Sequence, residues 1–339
     1  EDILVKGYLA IRQDATLRLS DTEFGDFEVM GNLDFTINAG DDKLEFPSTG
    51  YERTFTLHGD ILMEDGDNDA IVVNNTTPSG LEHQLKIGGN IDKQSGNTID
   101  LFTDNTGGNN AVLEFFGSTS ATFTSDDTPA ELYRIEMNKE TGNKMAVYSE
   151  FTLNGPTDGD EKALELISGD FESQHANTDI TLTSGGADFR IPANTKLMVK
   201  NGTARVSGNN TGIWLDGQLN AAYGSEWFIN GGTNNYIEYS ASGNAQIDIF
   251  QADMYIGSQI RRATNTEEGI LTLNQNKANS TLVVGTNAHL GGEETRGVLE
   301  MVNTGCALNQ AENASITLAN AVPNASAPSL YLNLDASEL

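Results

Sequence analysis

The residues best suited to chemistry in this sequence are carboxylates, and one acidic run has the spacing of a calcium loop. Asp65, Asp67 and Asp69 alternate along the chain, as in the first half of such a loop. The second half departs from the pattern, because Ala70 stands where the loop has glycine and Thr76 stands where it has glutamate. The run is therefore not an EF-hand. It predicts a surface calcium site, and Ca²⁺ is the one cofactor that the sequence suggests.

The remaining acidic pairs do not indicate a catalyst. Glycoside hydrolysis needs two carboxylates about 5–10 Å apart in a cleft. Asp41-Asp42 and Asp126-Asp127 both lie in turn-like sequence, where acidic residues are usually solvated, and Arg261-Arg262 is the only adjacent basic pair. No Ser/His/Asp arrangement, phosphate-binding loop or dinucleotide fingerprint is present. We therefore expect no enzymatic activity and no catalytic residues.

Aromatic residues are concentrated between positions 214 and 255. If they face outward, they form a platform on which sugar rings stack, and the sequence then predicts a carbohydrate-binding surface. The residues predicted to form it are Trp214, Trp227, Tyr236 and Tyr239. Because these rings alternate with apolar residues, packing in the core is the alternative.

The charge balance excludes several classes of partner. The chain has 339 residues, with 49 Asp+Glu against 19 Lys+Arg and a net charge of −30. So negative a surface repels phosphate backbones and anionic lipids, so nucleic acid is not expected as a partner. No apolar stretch approaches the roughly 20 residues that span a bilayer, so membrane insertion is not expected either. One cysteine excludes a disulfide scaffold, and the polar, cysteine-poor composition favours an extracellular location.

The elements that must position these residues are short strands separated by turns. Apolar and polar residues alternate in runs of about four to seven residues, and Gly, Asn, Asp and Ser cluster between the runs. A pattern of apolar, any, Gly, polar, apolar recurs, and its glycine falls at positions 7, 31, 59, 89 and 117, at steps of 24, 28, 30 and 28 residues. We attribute this glycine to bends that need a positive φ.

Three strands and three bends occupy 20–32 residues, so this period predicts an all-β, right-handed parallel β-helix (β-solenoid). Residues 1–264 are expected to form the body. Residues 265–339, which lose the glycine pattern, are expected to form terminal coils or a capping segment of the same solenoid. The alternative is a series of tandem β-sandwich domains, which would favour linkers and more proline than the seven present.

Several phrases resemble repeat coils of large Bacteroidota cell-surface proteins. They are Gly-Asn-Leu-x-Phe-x-Ile, found at 31–37, together with Leu-x-Leu-Asn and Leu-x-Val-x-Asn-Gly, the last at 197–202. The family that they resemble is exported by the type IX secretion system and includes gliding-motility adhesins. The resemblance implies an adhesive or filament-forming role at the cell surface, and it transfers no catalytic residue.

Together these features predict a non-enzymatic structural or adhesive segment of an extracellular surface protein or filament. The chain begins at Glu1 without methionine, and we expect it to be a mature product or a segment of a longer protein. Its expected partners are neighbouring repeats or copies of itself and surface polysaccharide. Two alternatives stay open: a polysaccharide-active β-helix enzyme or carbohydrate-binding module, and a viral tail or fibre protein.

Overall fold

A computed structural model shows that the chain is an all-β parallel solenoid, as the repeat spacing predicted. The structure describes residues 2–22, 25–37, 40–63, 67–126, 128–264, 268–286, 297–319 and 330–332. Across those ranges every secondary-structure element is a strand. No described segment forms a helix long and apolar enough to span a membrane. Two compact units are present: unit 1 comprises Glu1–Pro156 with Ala163–Gly169, and unit 2 comprises Thr157–Lys162 with Asp170–Leu339.

Unit 1 is built from strands that mostly span two to six residues. In chain order they are β1 Ile3–Val5, β2 Leu9–Ala10, β3 Thr16–Arg18, β4 Phe27–Val29, β5 Leu33–Asp34, β6 Lys43–Phe46, β7 Thr54–Leu57, β8 Ile61–Met63, β9 Ala70–Val73, β10 Glu82–Ile87, β11 Ile91–Lys93, β12 Thr98–Asp100, β13 Asn110–Gly117, β14 Ala121–Ser125, β15 Ala130–Leu132, β16 Arg134–Lys139, β17 Lys144–Val147 and β18 Phe151–Leu153.

The strands of unit 2 are similarly short. In chain order they are β19 Asp158–Gly159, β20 Leu164–Ser173 (whose first residues belong to unit 1), β21 Asp179–Thr183, β22 Gly185–Gly186, β23 Phe189–Ile191, β24 Thr195–Lys200, β25 Thr203–Ser207, β26 Ile213–Leu215, β27 Gln218–Ala222, β28 Glu226–Gly231, β29 Ile237–Tyr239, β30 Asn244–Phe250, β31 Asp253–Ile256, β32 Gln259–Arg262, β33 Ile270–Gln275, β34 Thr281–Val284, β35 Val298–Met301, β36 Ala307–Gln310, β37 Ser315–Leu318 and β38 Leu330–Leu332.

Each unit stacks coils of three strands, and every third strand pairs with its equivalent in the next coil. In unit 1, β3, β6, β9, β12, β15 and β18 form a six-stranded parallel sheet. In unit 2, six-stranded sheets contain β21, β25, β28, β31, β34, β37 and β23, β26, β29, β32, β35, β38. The remaining unit 2 ladder, β24, β27, β30, β33 and β36, is called the cavity sheet below.

The step between paired residues measures the length of a coil. The shortest described step joins Val112 to Arg134 and the longest joins Thr281 to Ser315, which gives 22 and 34 residues. The upper value slightly exceeds the predicted 32. Strands after residue 265 continue the same pairing, since β33 pairs with β30 and β36 pairs with β33. The contact-based division at residues 156–170 is a different boundary from the predicted 264/265.

The core consists of ladders of identical inward positions. In unit 1 one ladder aligns, coil after coil, Val29, Leu57, Ile87, Phe115, Met137 and Leu166, all of which are buried. In unit 2 Leu197, Leu219, Ile247 and Leu273 align in the same way and are fully buried. Because a strand alternates its faces, the residues beside these ladders point outward in rows. Those outward rows are where any ligand must bind.

The repeat glycines are required for a reason other than the predicted positive φ. Gly31 and Gly59 do not have a positive φ, whereas Gly117, the looser copy, does. Instead, the backbones of successive coils approach closely: the amide of Gly31 donates to the Gly7 carbonyl at 2.9 Å, and the amide of Gly59 donates to the Gly31 carbonyl at 3.1 Å. A Cβ on Gly59 would lie 2.6 Å from the Gly31 carbonyl oxygen. Glycine is therefore selected here by coil-to-coil contact.

Candidate functional site

The best candidate for a ligand site is a shallow cavity on the outer face of the cavity sheet in unit 2. Its volume is about 340 Å³, within the range of roughly 300–1,000 Å³ that is usual for small-molecule sites. Amide and carboxylate side chains line it together with two aromatic rings. The lining residues are Met198, Asn220, Ala221, Ala222, Tyr223, Gln246, Asp248, Ile249, Phe250, Asn274 and Asn276.

The floor of the cavity arises directly from strand alternation and register. Leu219 and Ile247 point into the core, so Asn220 and Asp248, one residue later in each strand, point outward. The parallel register places Asn220 opposite Asp248 and Asp248 opposite Asn274. Three consecutive coils therefore present a row of amide, carboxylate and amide across the sheet.

Asp248 organises this floor by accepting hydrogen bonds from amides on three strands. Gln246 Nε2 donates to Oδ1 at 2.9 Å and to Oδ2 at 2.8 Å, and Asn274 Nδ2 donates to Oδ1 at 2.6 Å. Asn220, with its amide oriented to satisfy its neighbours, donates to Oδ2 at 3.1 Å. Both oxygens of the carboxylate are thus occupied, and the three amides are held in fixed orientations.

Two aromatic rings form a wall beside the polar floor. Tyr223 and Phe250 meet edge to face, with ring centroids 4.8 Å apart. Tyr223 is 48% exposed and has a φ of 49°, a left-handed conformation that it adopts directly after β27. The ammonium groups of Lys200 and Lys277 lie 4.9 Å and 5.6 Å from the Tyr223 and Phe250 ring centroids, respectively. The cavity therefore combines an exposed aromatic surface with fixed polar groups.

The structure corrects two of the four residues predicted to bind carbohydrate. Trp227 and Tyr239 are fully buried, and the Tyr239 hydroxyl donates to the Glu300 carbonyl at 2.7 Å. Trp227 aligns with the inward residue Ala204 of the preceding coil. Neither ring can stack on an external sugar, because both faces are enclosed in the core. Core packing, the alternative reading of this aromatic region, applies to these two residues.

The other two predicted residues are half-buried on a neighbouring sheet, away from the residues that line the cavity. The guanidinium of Arg190 lies 5.4 Å from the Trp214 ring, and that of Arg261 lies 3.8 Å from the Tyr236 ring. Trp214 Nε1 also donates to Asp216 Oδ2 at 2.8 Å. Binding of carbohydrate by Trp214 and Tyr236 stays a prediction, and it requires the arginines to leave the ring faces.

The predicted calcium residues do not all fall within the described part of the chain. Asp65 lies outside the described residues, and Asp67 is half-buried. Asp69 is fully buried, and its Oδ1 accepts the backbone amide of Asp42 at 3.1 Å. Among the residues with described positions, no group of three His, Cys, Asp or Glu side chains could hold a metal ion. The calcium site stays a prediction.

Unit 1 contains a second, strongly polar groove with a volume of about 560 Å³. It includes the carboxylates of Glu52 and Glu82 together with Arg53. The backbone amide of Glu82 donates to Glu52 Oε1 at 3.3 Å, and Arg134 Nη1 pairs with Glu82 Oε1 at 3.3 Å. Arg134 also contacts Glu165, at 3.3 Å. One cation thus joins carboxylates of different coils, which is how a surface network is stabilised.

The cavity residues were only partly visible in the sequence. Tyr223 and Phe250 lie within the aromatic region that was singled out, but Asn220, Gln246 and Asp248 were not noticed. The available signal was the alternation of apolar and amide or acidic residues in β27 and β30, read together with the 28-residue step between them. No protein-family model, no curated protein and no solved structure matches this chain, so the geometry described above carries the functional argument.

Proposed function

We propose that this chain is a non-enzymatic structural and adhesive segment of an extracellular surface protein or filament. The observation that carries the proposal is the composition of the unit 2 cavity, which is suited to binding but not to hydrolysis. Asp248 is the only carboxylate among its lining residues, and amide donors occupy both of its oxygens. Acid–base cleavage of a glycoside needs a second carboxylate on the other side of the bond.

The scaffold supports the same proposal. Outward charged residues pair from coil to coil, as in Lys86–Glu114 at 2.8 Å in unit 1 and Lys196–Asp170 at 2.9 Å and Arg262–Glu300 at 2.7 Å in unit 2. A stack in which each coil contacts its neighbours extends a surface in one direction and presents its outward rows along that surface. Neighbouring repeats or copies of the chain and surface polysaccharide are the partners that we propose.

The test measures adhesion and cleavage together. The whole protein is applied to cellulose, chitin, insoluble mannan, alginate gel, gelatin and hydroxyapatite, and both the retained protein and any released soluble sugar are measured. We expect retention on at least one material without release of soluble oligosaccharide. Retention on none of them would contradict adhesion, and sustained release of oligosaccharide would contradict the non-enzymatic assignment.

A polysaccharide-active enzyme is the second candidate, and the unit 1 groove favours it. Two carboxylates, Glu52 and Glu82, line the same groove, and an arginine lies against one of them. If this groove is catalytic, the variant Glu82→Gln abolishes any oligosaccharide release seen with the unchanged protein. Asp248→Asn is the matched control, since it alters the unit 2 cavity and leaves the groove intact.

A further inference from the structure

We propose that the unit 2 cavity is a binding site for a neutral saccharide, whose ring packs against Tyr223 and Phe250 while its hydroxyl groups bind the amide floor. This inference rests on the proposed adhesive function and names the class of ligand. Two features of the cavity carry it: fixed amide groups on the floor and an exposed ring on the wall.

The floor offers the paired donors and acceptors that a sugar hydroxyl requires. A hydroxyl group donates one hydrogen bond and accepts others, so it is matched best by side chains that present both roles. Gln246 and Asn220 direct their nitrogens to Asp248, and each amide then directs its oxygen away from that carboxylate. Asn274 Nδ2 spends one hydrogen on Asp248 and has a second. Because Asp248 holds all three amides, little side-chain entropy is lost on binding.

The wall supplies the apolar contact. The C–H groups of a pyranose ring form an apolar face, and a partly exposed aromatic ring is the surface that such a face covers. Tyr223 is 48% exposed although it lies beside a buried strand, because its left-handed backbone directs it outward. Its own amide donates to the Phe250 carbonyl at 2.8 Å, which fixes the ring pair against the floor.

The charges of the site favour a neutral ligand over an anionic or cationic one. Asp248 places a carboxylate in the floor, and the whole chain has a net charge of −30, so acidic sugars are repelled. The nearby ammonium groups are already engaged: Lys200 lies over the Tyr223 ring and donates to Gln174 Oε1 at 3.4 Å. A cationic ligand would have to displace the amides from Asp248 and would meet these lysines.

The test compares two exposed tyrosines. Tyr223→Ala removes the wall of the cavity, and Tyr148→Ala is the matched control, because Tyr148 is also 48% exposed and belongs to unit 1. Binding of soluble cello-, chito-, manno- and alginate oligosaccharides is measured by titration calorimetry. Far-UV circular dichroism and a urea unfolding midpoint establish that each variant is folded. Phe250→Ala serves as a second cavity variant if Tyr223→Ala does not fold.

We expect a neutral oligosaccharide to bind the unchanged protein, a Kd at least tenfold higher for the cavity variant, and an unchanged Kd for Tyr148→Ala. A tenfold change corresponds to about 1.4 kcal/mol. Binding that is equal in all three proteins, binding of alginate oligosaccharides alone, or no binding of any oligosaccharide would overturn the inference. Retention on gelatin or hydroxyapatite without saccharide binding would leave the proposed adhesive function standing and refute only the saccharide site.

Discussion

At one corner of unit 1, a single acidic side chain in each coil replaces a missing backbone partner. Asp42 Oδ1 accepts the backbone amide of Ala15 at 2.9 Å, and Asp69 Oδ1 accepts that of Asp42 at 3.1 Å. Asn97 Oδ1 continues the series by accepting the amide of Asp69 at 2.9 Å. The other carboxylate oxygens of Asp42 and Asp69 are buried and have no hydrogen-bond partner. Burial without a partner disfavours the charged form of a carboxyl group.

This corner makes stability depend on pH. Desolvation, followed by repulsion from Asp42, Asp67 and Asp41, raises the pKa of Asp69 from 3.8 to about 6. The folded state therefore binds a proton more tightly than the unfolded state does. The contribution of Asp69 to stability is fully present below pH 4 and is lost as the pH rises to about 6. We expect the free energy of unfolding to decrease over that interval in urea titrations at successive pH values.

The variant Asp69→Asn tests the residue responsible. Asparagine already occupies the equivalent corner of the next coil, as Asn97, so the amide fits the geometry. We expect the variant to unfold at pH 7 with a free energy about 2 kcal/mol higher than the unchanged protein and to lose most of the pH dependence. Asp67→Asn is the control, since Asp67 is half-buried, and it should change neither. A destabilised Asp69→Asn protein would show that the carboxylate is charged and useful when folded.

At the scale of the elements, the closest constraint is the contact between successive bends in unit 1. Gly89 continues the row formed by Gly7, Gly31 and Gly59, and its amide donates to the Gly59 carbonyl at 3.1 Å. A Cβ at Gly89 would lie 2.5 Å from that carbonyl oxygen. Each coil can therefore rest on the preceding one only if the bend has no side chain at this position.

Alanine substitution separates this contact from the general flexibility of glycine. Gly59→Ala places a Cβ against the Gly31 backbone, and overpacking of this kind costs about 1–3 kcal/mol, so we expect a lower urea midpoint by circular dichroism. Gly7→Ala is the matched control, because a Cβ at Gly7, in the first coil, meets nothing within 4 Å. Equal effects at both positions would mean that lost backbone freedom, not coil contact, determines the result.

At the scale of the whole molecule, the dominant property is the net charge of −30. Like charges on a compact surface repel one another, and salt screens this repulsion, with a Debye length of about 10 Å at 0.1 M. We expect sodium chloride to raise the thermal unfolding midpoint steadily. Calcium chloride at matched ionic strength tests the predicted site at Asp65, Asp67 and Asp69, since specific binding adds stability beyond screening. Identical curves for the two salts would contradict that site.

The same charge bears on assembly. A viral fibre is expected to form a stable trimer, whereas an acidic surface keeps separate copies apart at low ionic strength. Sedimentation equilibrium in low salt is therefore expected to give the mass of one chain, 36.4 kDa. A mass three times larger, independent of concentration, would favour the fibre alternative.

Sequence pattern alone determined the architecture, because a solenoid repeats one local rule. Apolar alternation gave the strands, and the glycine step of 28 residues between positions 31 and 59 equals the register step between Phe27 and Phe55. Each coil pairs with the next one along the chain, so sequence period and spatial neighbour coincide. The parallel β-solenoid was therefore predictable, and the tandem-sandwich alternative was not needed.

Only the tertiary structure decided which side chains reach the surface. Trp227 and Phe228 are adjacent, and the register of β28 buries the tryptophan and leaves the phenylalanine partly exposed. A shift of one residue would reverse them, because side chains alternate between faces with a period of two. The cavity floor likewise depends on Asn220, Asp248 and Asn274 being aligned across three coils whose bends differ in length. Local pattern determines that strands form, whereas the length of each bend determines which face a residue takes.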